Sequence, residues 1–359
     1  MWQHFLVNNF RCFAGLHLKD LARVNLIAGK NNTGKTALLE AIHLHDNPAN
    51  WQLPVDINRA RGIREPSRAL EDVCAWLFYR GHIPSGLSLE SHDEKGVTRT
   101  LTMYILDPAS ARERFPEAEK ALASLIGPSL KGSLSRLILK FEQTNEPERI
   151  SIGVAGEIVG GGHGGIWIDA RIPRNIPDVF LTSGGASAMQ DVGFFGELEK
   201  TKRQQEILPA LQIVEPCLQH LSLVPLAGES VIHGDVGLPL LVPVPFMGEG
   251  VRRVLSLVLA IANAPGGVVL IDEIENGLHY SVQKKVWQVI AQAARQANVQ
   301  VFATTHSWEC IRWAHEAFSE SEEYDFRLFR LDRTDGDVSV SSYDRERIES
   351  ALFNAVEMR

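Results

Sequence analysis

The stretch Gly29-Lys30-Asn31-Asn32-Thr33-Gly34-Lys35-Thr36 sits between an apolar run, Val24-Asn25-Leu26-Ile27-Ala28, and a segment with helical spacing, Ala37-Leu38-Leu39-Glu40-Ala41-Ile42. The order is strand, glycine loop, helix, with Gly-x-x-x-x-Gly-Lys-Thr at the joint. Such a loop turns backbone N–H groups toward phosphates at the positive end of a helix. Side chains at positions 29 and 34 would block that approach. Lys35 would reach the β- and γ-phosphates of a nucleotide, and the Thr36 hydroxyl would bind Mg²⁺. The expected ATP-binding set is therefore Gly29, Asn31, Asn32, Thr33, Gly34, Lys35, Thr36 and Ala37.

Two later segments complete this chemistry. Gly267-Val268-Val269-Leu270-Ile271 is apolar without alternation, the pattern of a buried parallel strand, and it ends in Asp272-Glu273. Asp272 would hold Mg²⁺, and Glu273 beside it would polarise the attacking water. The next strand ends Ala303-Thr304-Thr305-His306-Ser307. A histidine at the C-terminal edge of a parallel strand lies where open α/β sheets bind ligands. His306 is thus a candidate for contact with the γ-phosphate or the water. Lys35, Glu273 and His306 are the expected catalytic residues. A third segment, Phe246-Met247-Gly248-Glu249-Gly250-Val251-Arg252-Arg253, opens the helix before Asp272. Two glycines at a helix start make another anion site from exposed N–H groups. With Lys35 already serving the phosphates in cis, Gly248, Glu249 and Gly250 would face the nucleotide of a second subunit.

Composition bounds the class. The chain has 359 residues, 45% hydrophobic and 22% charged, and a net charge of -8. That balance suits a globular protein and argues against a globally basic nucleic-acid binder. Two local basic clusters stand out, Lys200-Lys202-Arg203 and Arg252-Arg253. No run of 18 apolar residues suggests a membrane span, and the N-terminus lacks a basic leader. The four cysteines are scattered, which fits a reducing cytoplasm. His43-Leu44-His45-Asp46 reads as a polar helix end in the absence of a further ligand cluster.

The pattern predicts further elements. Strands are expected at Phe5–Val7 and Phe10–Phe13, from Leu16, at Leu87–Glu90, Arg99–Leu106, Leu134–Glu142 and Ile150–Val154, and at Val299–Ala303. Helices are expected at Glu71–Tyr79, Ala109–Ile126, Val251–Ala262 and Tyr280–Ala297. Phe194–Leu221 reads as one long helical stretch interrupted by Pro209 and Pro216. Gly160–Gly165 reads as a loop tip. A hairpin is expected across Phe326–Tyr343, then a short helix at Arg345–Val356. Sustained heptads are missing, so no coiled-coil arm is expected.

The motifs together resemble the ABC-type ATPases of the OLD (overcoming lysogenization defect) group. They are Asn9-Phe10-Arg11, the glycine loop, Met247-Gly248-Glu249-Gly250, Ile271-Asp272-Glu273-Ile274-Glu275-Asn276-Gly277-Leu278-His279 and Thr304-Thr305-His306-Ser307. This group is related to Rad50 and SMC heads and includes ATPases of bacterial anti-phage systems such as Gabija and PARIS. The resemblance implies an ABC ATPase head of α/β class. It would have a mixed central sheet and an N-terminal antiparallel portion, with residues 1–45 and 246–359 as nucleotide-binding core and 46–245 as an inserted α+β lobe. It adds Arg11 to the nucleotide-binding residues and places Gly248 and Gly250 on the signature motif. It puts Asn276, Gly277 and Leu278 on the D-loop at a dimer interface. It makes Glu273 the catalytic glutamate and His306 the switch histidine. It implies ATP and Mg²⁺ as cofactors and an ATP-dependent homodimer or higher oligomer. It also implies a separately encoded effector, a nuclease or toxin, because no Toprim nuclease domain follows the hairpin. The alternatives are a DNA-repair or DNA-sensing ATPase, and a non-hydrolysing nucleotide-stabilised scaffold or antitoxin.

Overall fold

Val24–Gly29, the strand that feeds the glycine loop, is buried at all six positions. It runs parallel to Phe326–Thr334 on one side and to Gln300–Thr305 on the other. A strand paired on both edges and covered on both faces favours apolar side chains, which is why this segment shows no alternation; its one polar residue, Asn25, is hydrogen-bonded to the backbone of Ala22. The structure is a computed structural model that describes residues 1–48, 50, 52–62, 74–126, 135–158, 162–168, 177–226 and 228–359. The sheet order is Asp337–Tyr343, Phe326–Thr334, Val24–Gly29, Gln300–Thr305, Val268–Ile271, Asp178–Leu181. Val268–Ile271 is parallel to both of its neighbours.

The helix Glu249–Ala262 is buried almost all round, from Val251 to Ile261. The helix Tyr280–Gln296 buries Val286, Trp287, Ile290, Ala291 and Ala294, the one-sided stripe that helical spacing produces. These side chains and those of the sheet share one core. A second sheet has seven antiparallel strands, in the order Phe13–Leu18, Trp2–Phe10, Leu87–Asp93, Thr98–Leu106, Arg136–Gln143, Arg149–Ile158, Gly162–Ile168. Leu87, Leu89 and Ser91 point inward with half-buried residues between them, the period of two of a half-buried strand. A third sheet holds His220–Leu226, Glu229–Asp235 and Val242–Pro243.

Internal contacts divide the chain into two compact units. One comprises Met1–Asp20, Thr36–Asn175 and Asp332–Val340; the other comprises Leu21–Lys35, Ile176–Leu331 and Ser341–Arg359. The expected mixed α/β architecture with an antiparallel N-terminal portion is present. Among the described residues no helix is long and apolar enough to cross a membrane.

Several local expectations need correction. Gly162–Gly165 does not form a loop tip but begins a strand, Gly162–Ile168, paired with Arg149–Ile158; Gly160 and Gly161 lie outside the described residues. Ladder bonds need only backbone groups, which glycine supplies like any residue. Phe194–Leu221 is not one helix. Ala188–Lys200 ends at Thr201, Lys202 turns left-handed at φ 60°, and Pro209 sits in the first turn of a new short helix, Leu208–Leu211. Proline starts that helix, where its missing N–H costs nothing. His220 already belongs to a strand. Ala109–Ile126 divides into Pro108–Arg114 and Pro116–Ile126, because Phe115 before proline leaves the helical region. Of Glu71–Tyr79, residues 71–73 lie outside the described residues and Ala75–Leu77 forms one 3₁₀ turn.

Candidate nucleotide-binding site

The glycine loop connects the end of Val24–Gly29 to the helix Lys35–Asp46. A Cβ on Gly29 would stand 2.6 Å from Thr33 Oγ1 and 2.7 Å from the Leu331 carbonyl, so no side chain fits there. Asn32 and Gly34 both take positive φ, 64° and 97°, which curls the loop back on itself. Lys35 Nζ donates to the carbonyls of Gly29 at 2.7 Å and Lys30 at 3.0 Å, and Thr33 Oγ1 donates to Lys30 O at 2.9 Å. The side chain of Lys35 is thus folded over its own loop. Burial lowers the pKa of its ammonium, while Asp272, Glu273 and Glu275 pull it back up. Asn31 and Asn32 are exposed at the loop tip, and Thr36 and Ala37 continue the helix after Lys35.

Asp272 and Glu273 follow the strand Val268–Ile271 directly. Asp272 is nearly buried, and its Oδ1 accepts from Thr304 Oγ1 at 2.6 Å. The Glu273 N–H donates to the same hydroxyl at 2.8 Å. One threonine of the neighbouring strand therefore fixes both the carboxylate and the turn after it. The turn is unusual, since Glu273 has φ 47°. A left-handed conformation in a non-glycine residue is held by its surroundings rather than by preference. Part of the hold comes from Arg253, which is 2% exposed. Its Nη2 donates to the carbonyls of Asp272 at 3.0 Å and Glu273 at 2.8 Å, and its Nη1 donates to Thr182 O at 3.1 Å.

His306 is 48% exposed at the end of Gln300–Thr305. Its Nδ1 lies 3.8 Å from Glu273 Oε1 and 3.3 Å from Glu275 Oε1. Glu275 Oε1 also accepts from the His306 N–H at 2.9 Å and from Thr305 Oγ1 at 2.8 Å. Lys35, Asp272, Glu273 and His306 belong to one unit, with Asp272, Glu273 and His306 at the ends of the neighbouring strands Val268–Ile271 and Gln300–Thr305. Gly248, with φ 100°, precedes the helix that carries Arg253, and Glu249 pairs with Arg252 at 3.1 Å. Arg11 belongs to the other unit, where its Nε meets Glu40 Oε2 at 2.8 Å and its Nη2 reaches Asn58 Oδ1 at 3.4 Å.

Four contributors escaped sequence reasoning: Thr304, Glu275, Arg253 as a buried tether, and the hydrogen bond from Asn276 Nδ2 to Glu273 Oε2 at 2.7 Å. Thr304 stands out in the sequence only as a polar residue inside an apolar strand, and Glu275 as a second carboxylate two residues after Glu273. Arg252-Arg253 reads in the sequence as a local basic cluster, and burial of Arg253 removes half of it. In the other basic cluster Lys200 pairs with Glu197 and Arg203 with Glu206. His45, at the end of the loop helix, is fully buried and held to about 4, well below an ordinary imidazole, and its Nε2 lies 3.1 Å from the Arg99 carbonyl.

A phosphate loop and an Asp-Glu strand end on one largely parallel sheet are the features of an ATPase of the P-loop class. Residues 171–311 match the family described as "AAA domain, putative AbiEii toxin, Type IV TA system". Over 392 aligned residues the chain is 23% identical to an "ATP/GTP phosphatase" of Helicobacter pylori, spanning 99% of this chain and 98% of that protein. It is 36% identical over 98 residues to the uncharacterized protein MJECL11 of Methanocaldococcus jannaschii, covering 27% of this chain and 84% of that protein. The fold is similar to the Smc head solved bound to the C-terminal winged-helix domain of ScpA, with a TM-score of 0.52 at 13% identity over 97% of this chain and 99% of that one.

Proposed function

We propose that this chain is an ATP-hydrolysing switch that closes head to head around ATP and passes the change to a separately encoded effector, a nuclease or toxin of a bacterial anti-phage module. The observation that carries the hydrolytic part is the convergence of Glu273 and His306 at adjacent strand ends in the unit that also holds Lys35. In this reading the loop N–H groups and Lys35 bind the phosphates, and Glu273 takes a proton from the attacking water. The water oxygen bonds to the γ-phosphorus as the bond to the bridging oxygen breaks, leaving ADP and phosphate. His306 orients the γ-phosphate. The Thr36 hydroxyl and the Asp272 carboxylate are hard oxygen donors of the kind Mg²⁺ accepts, and Asp272 is held ready by Thr304. Bound there, Mg²⁺ would neutralise charge on the phosphates. Gly248, Glu249 and Gly250 would cap the nucleotide of the second copy.

The nucleotide phosphatase of Helicobacter pylori supports turnover, and the toxin-system description of the matching family supports an effector module. The Smc head seen with ScpA supports a protein partner, for which residues 46–245 are the proposed surface. The DNA-sensing alternative has less support, because Arg253 is buried and Lys200, Arg203 and Arg252 are each paired with a glutamate. The scaffold alternative has to explain why Lys35, Asp272 and Glu273 are all retained. The test is co-purification with the products of adjacent genes, followed by ATPase assays with and without DNA and the recovered partner. Turnover that is absent under all of these conditions would replace the switch with the scaffold.

A further inference from the structure

One oxygen of the Glu273 carboxylate is already engaged within the chain in this structure. Its Oε2 accepts from Asn276 Nδ2 at 2.7 Å, and the same amide lies 3.4 Å from the Ser183 carbonyl. A carboxylate oxygen already satisfied by its own chain is a poorer proton acceptor for anything else. The turn that carries Asn276 is tight: Asn276 N–H donates to Glu273 O at 3.0 Å and Leu278 N–H to Glu275 O at 3.1 Å. The helix that starts after Gly248 touches this turn at two places. Its first residue, Glu249, is so close that a Cβ on Gly277 would lie 2.9 Å from Glu249 Cγ, and Gly250 packs on the Gly277 carbonyl. Four residues beyond Glu249, Arg253 grips the Glu273 carbonyl at 2.8 Å.

We infer that Asn276 is a positioning residue that holds the Glu273 carboxylate off the reaction in a lone subunit, and that engagement of Gly248–Gly250 by the nucleotide of a second copy releases it. The inference rests on the dimeric reading proposed above. The relay is short. Movement of the Glu249–Ala262 helix displaces Gly277 and Asn276 at one point and the Glu273 backbone at the other.

The test measures ATP turnover per subunit across a dilution series for the full chain, with mass by light scattering at each concentration. The variants are Asn276→Ala, Asn276→Asp, Glu273→Gln and the Asn276→Ala/Glu273→Gln double. Wild-type turnover is expected to fall on dilution. At the dilute end the residual turnover of Asn276→Ala should lie about tenfold above that of wild type, the size of one hydrogen bond to a charged group, and still below the rate of the dimer. Asn276→Asp should do the same, because its carboxylate repels Glu273. The double variant should be no faster than Glu273→Gln. Asn276→Ala curves that coincide with wild type, or lie below it throughout, overturn the latch while leaving the dimer in place. So does an acceleration that survives Glu273→Gln. Wild-type mass that stays at that of a single subunit with ATP present, with turnover flat across dilution, overturns the dimeric reading, and the latch with it.

Discussion

Replacement of Asp191 tests how the Glu249–Ala262 helix is held. Asp191 lies in the first turn of Ala188–Lys200, and its Oδ2 accepts from Ser256 Oγ at 2.8 Å, on the helix that begins at Gly248. Its other oxygen is buried without a hydrogen-bond partner. Burial pushes the carboxyl up to about 6 from 3.8, against the opposing effects of the Ser256 hydroxyl and the Arg252 charge. A raised carboxyl pKa means that the folded state favours the protonated form. Its contribution is complete below the unfolded value and is lost as pH rises through about 6. At 1.36 kcal/mol per pKa unit the whole penalty is about 3 kcal/mol at pH 8, and about 1.6 kcal/mol of it is already present at pH 5. The amide of an Asp191→Asn variant would be neutral at both values and can still accept from Ser256. The stability of Asp191→Asn relative to wild type should therefore improve by about 1.4 kcal/mol between pH 5 and pH 8, a tenfold change in the unfolding constant. Urea unfolding followed by fluorescence reads this, since Trp287 is buried in the same core. A difference between variant and wild type that stays constant with pH, whatever its size, would refute the account of Asp191 as a buried carboxyl.

Other substitutions bear on the site itself. Glu273→Gln should retain ATP and accumulate as the closed dimer on size exclusion; near-wild-type turnover would sink the catalytic assignment. Replacing Gly248 should abolish hydrolysis while leaving ATP binding by the single subunit intact, as measured by calorimetry. Equal loss of both would mean that this glycine acts in cis. Arg253→Met removes two donors from the Asp272–Glu273 turn, although Glu273 O keeps the Asn276 N–H. Loss of these bonds predicts a loss of about 1–3 kcal/mol in stability, with kcat falling more than nucleotide affinity. An unchanged kcat would show that the turn holds its left-handed shape without the tether.

Elements that obey one rule along their length were legible in the sequence. Val268–Ile271 is an apolar run, and Val24–Gly29 and the centre of Gln300–Thr305 are largely apolar, because both faces are covered, and the loop at 29–36 carries its own chemistry in its residue types. Asp178–Leu181 went unread, because Asp-Val-Phe-Leu is too short to show a period, and only pairing with Val268–Ile271 makes it a strand. Gly162–Ile168 failed for the opposite reason: its glycines signal a turn locally, and a neighbouring strand overrides them. Arg253 could not be placed, since a run of two arginines looks the same whether it faces water or three carbonyls. Thr304 was visible as a residue but not as a link, because its partner lies 32 positions away.

The position of Val24–Gly29 in its sheet has a consequence for the order of events during synthesis. The strand is made early, yet its two neighbours are Gln300–Thr305 and Phe326–Thr334, and the Leu331 carbonyl abuts Gly29. On the ribosome, the loop at 29–36 emerges long before the strands that will flank it exist. Contacts between such distant segments form late and slowly. A nascent chain shorter than this therefore lacks the frame that gives the loop its shape, and nucleotide capture should begin only once Phe326–Thr334 has emerged.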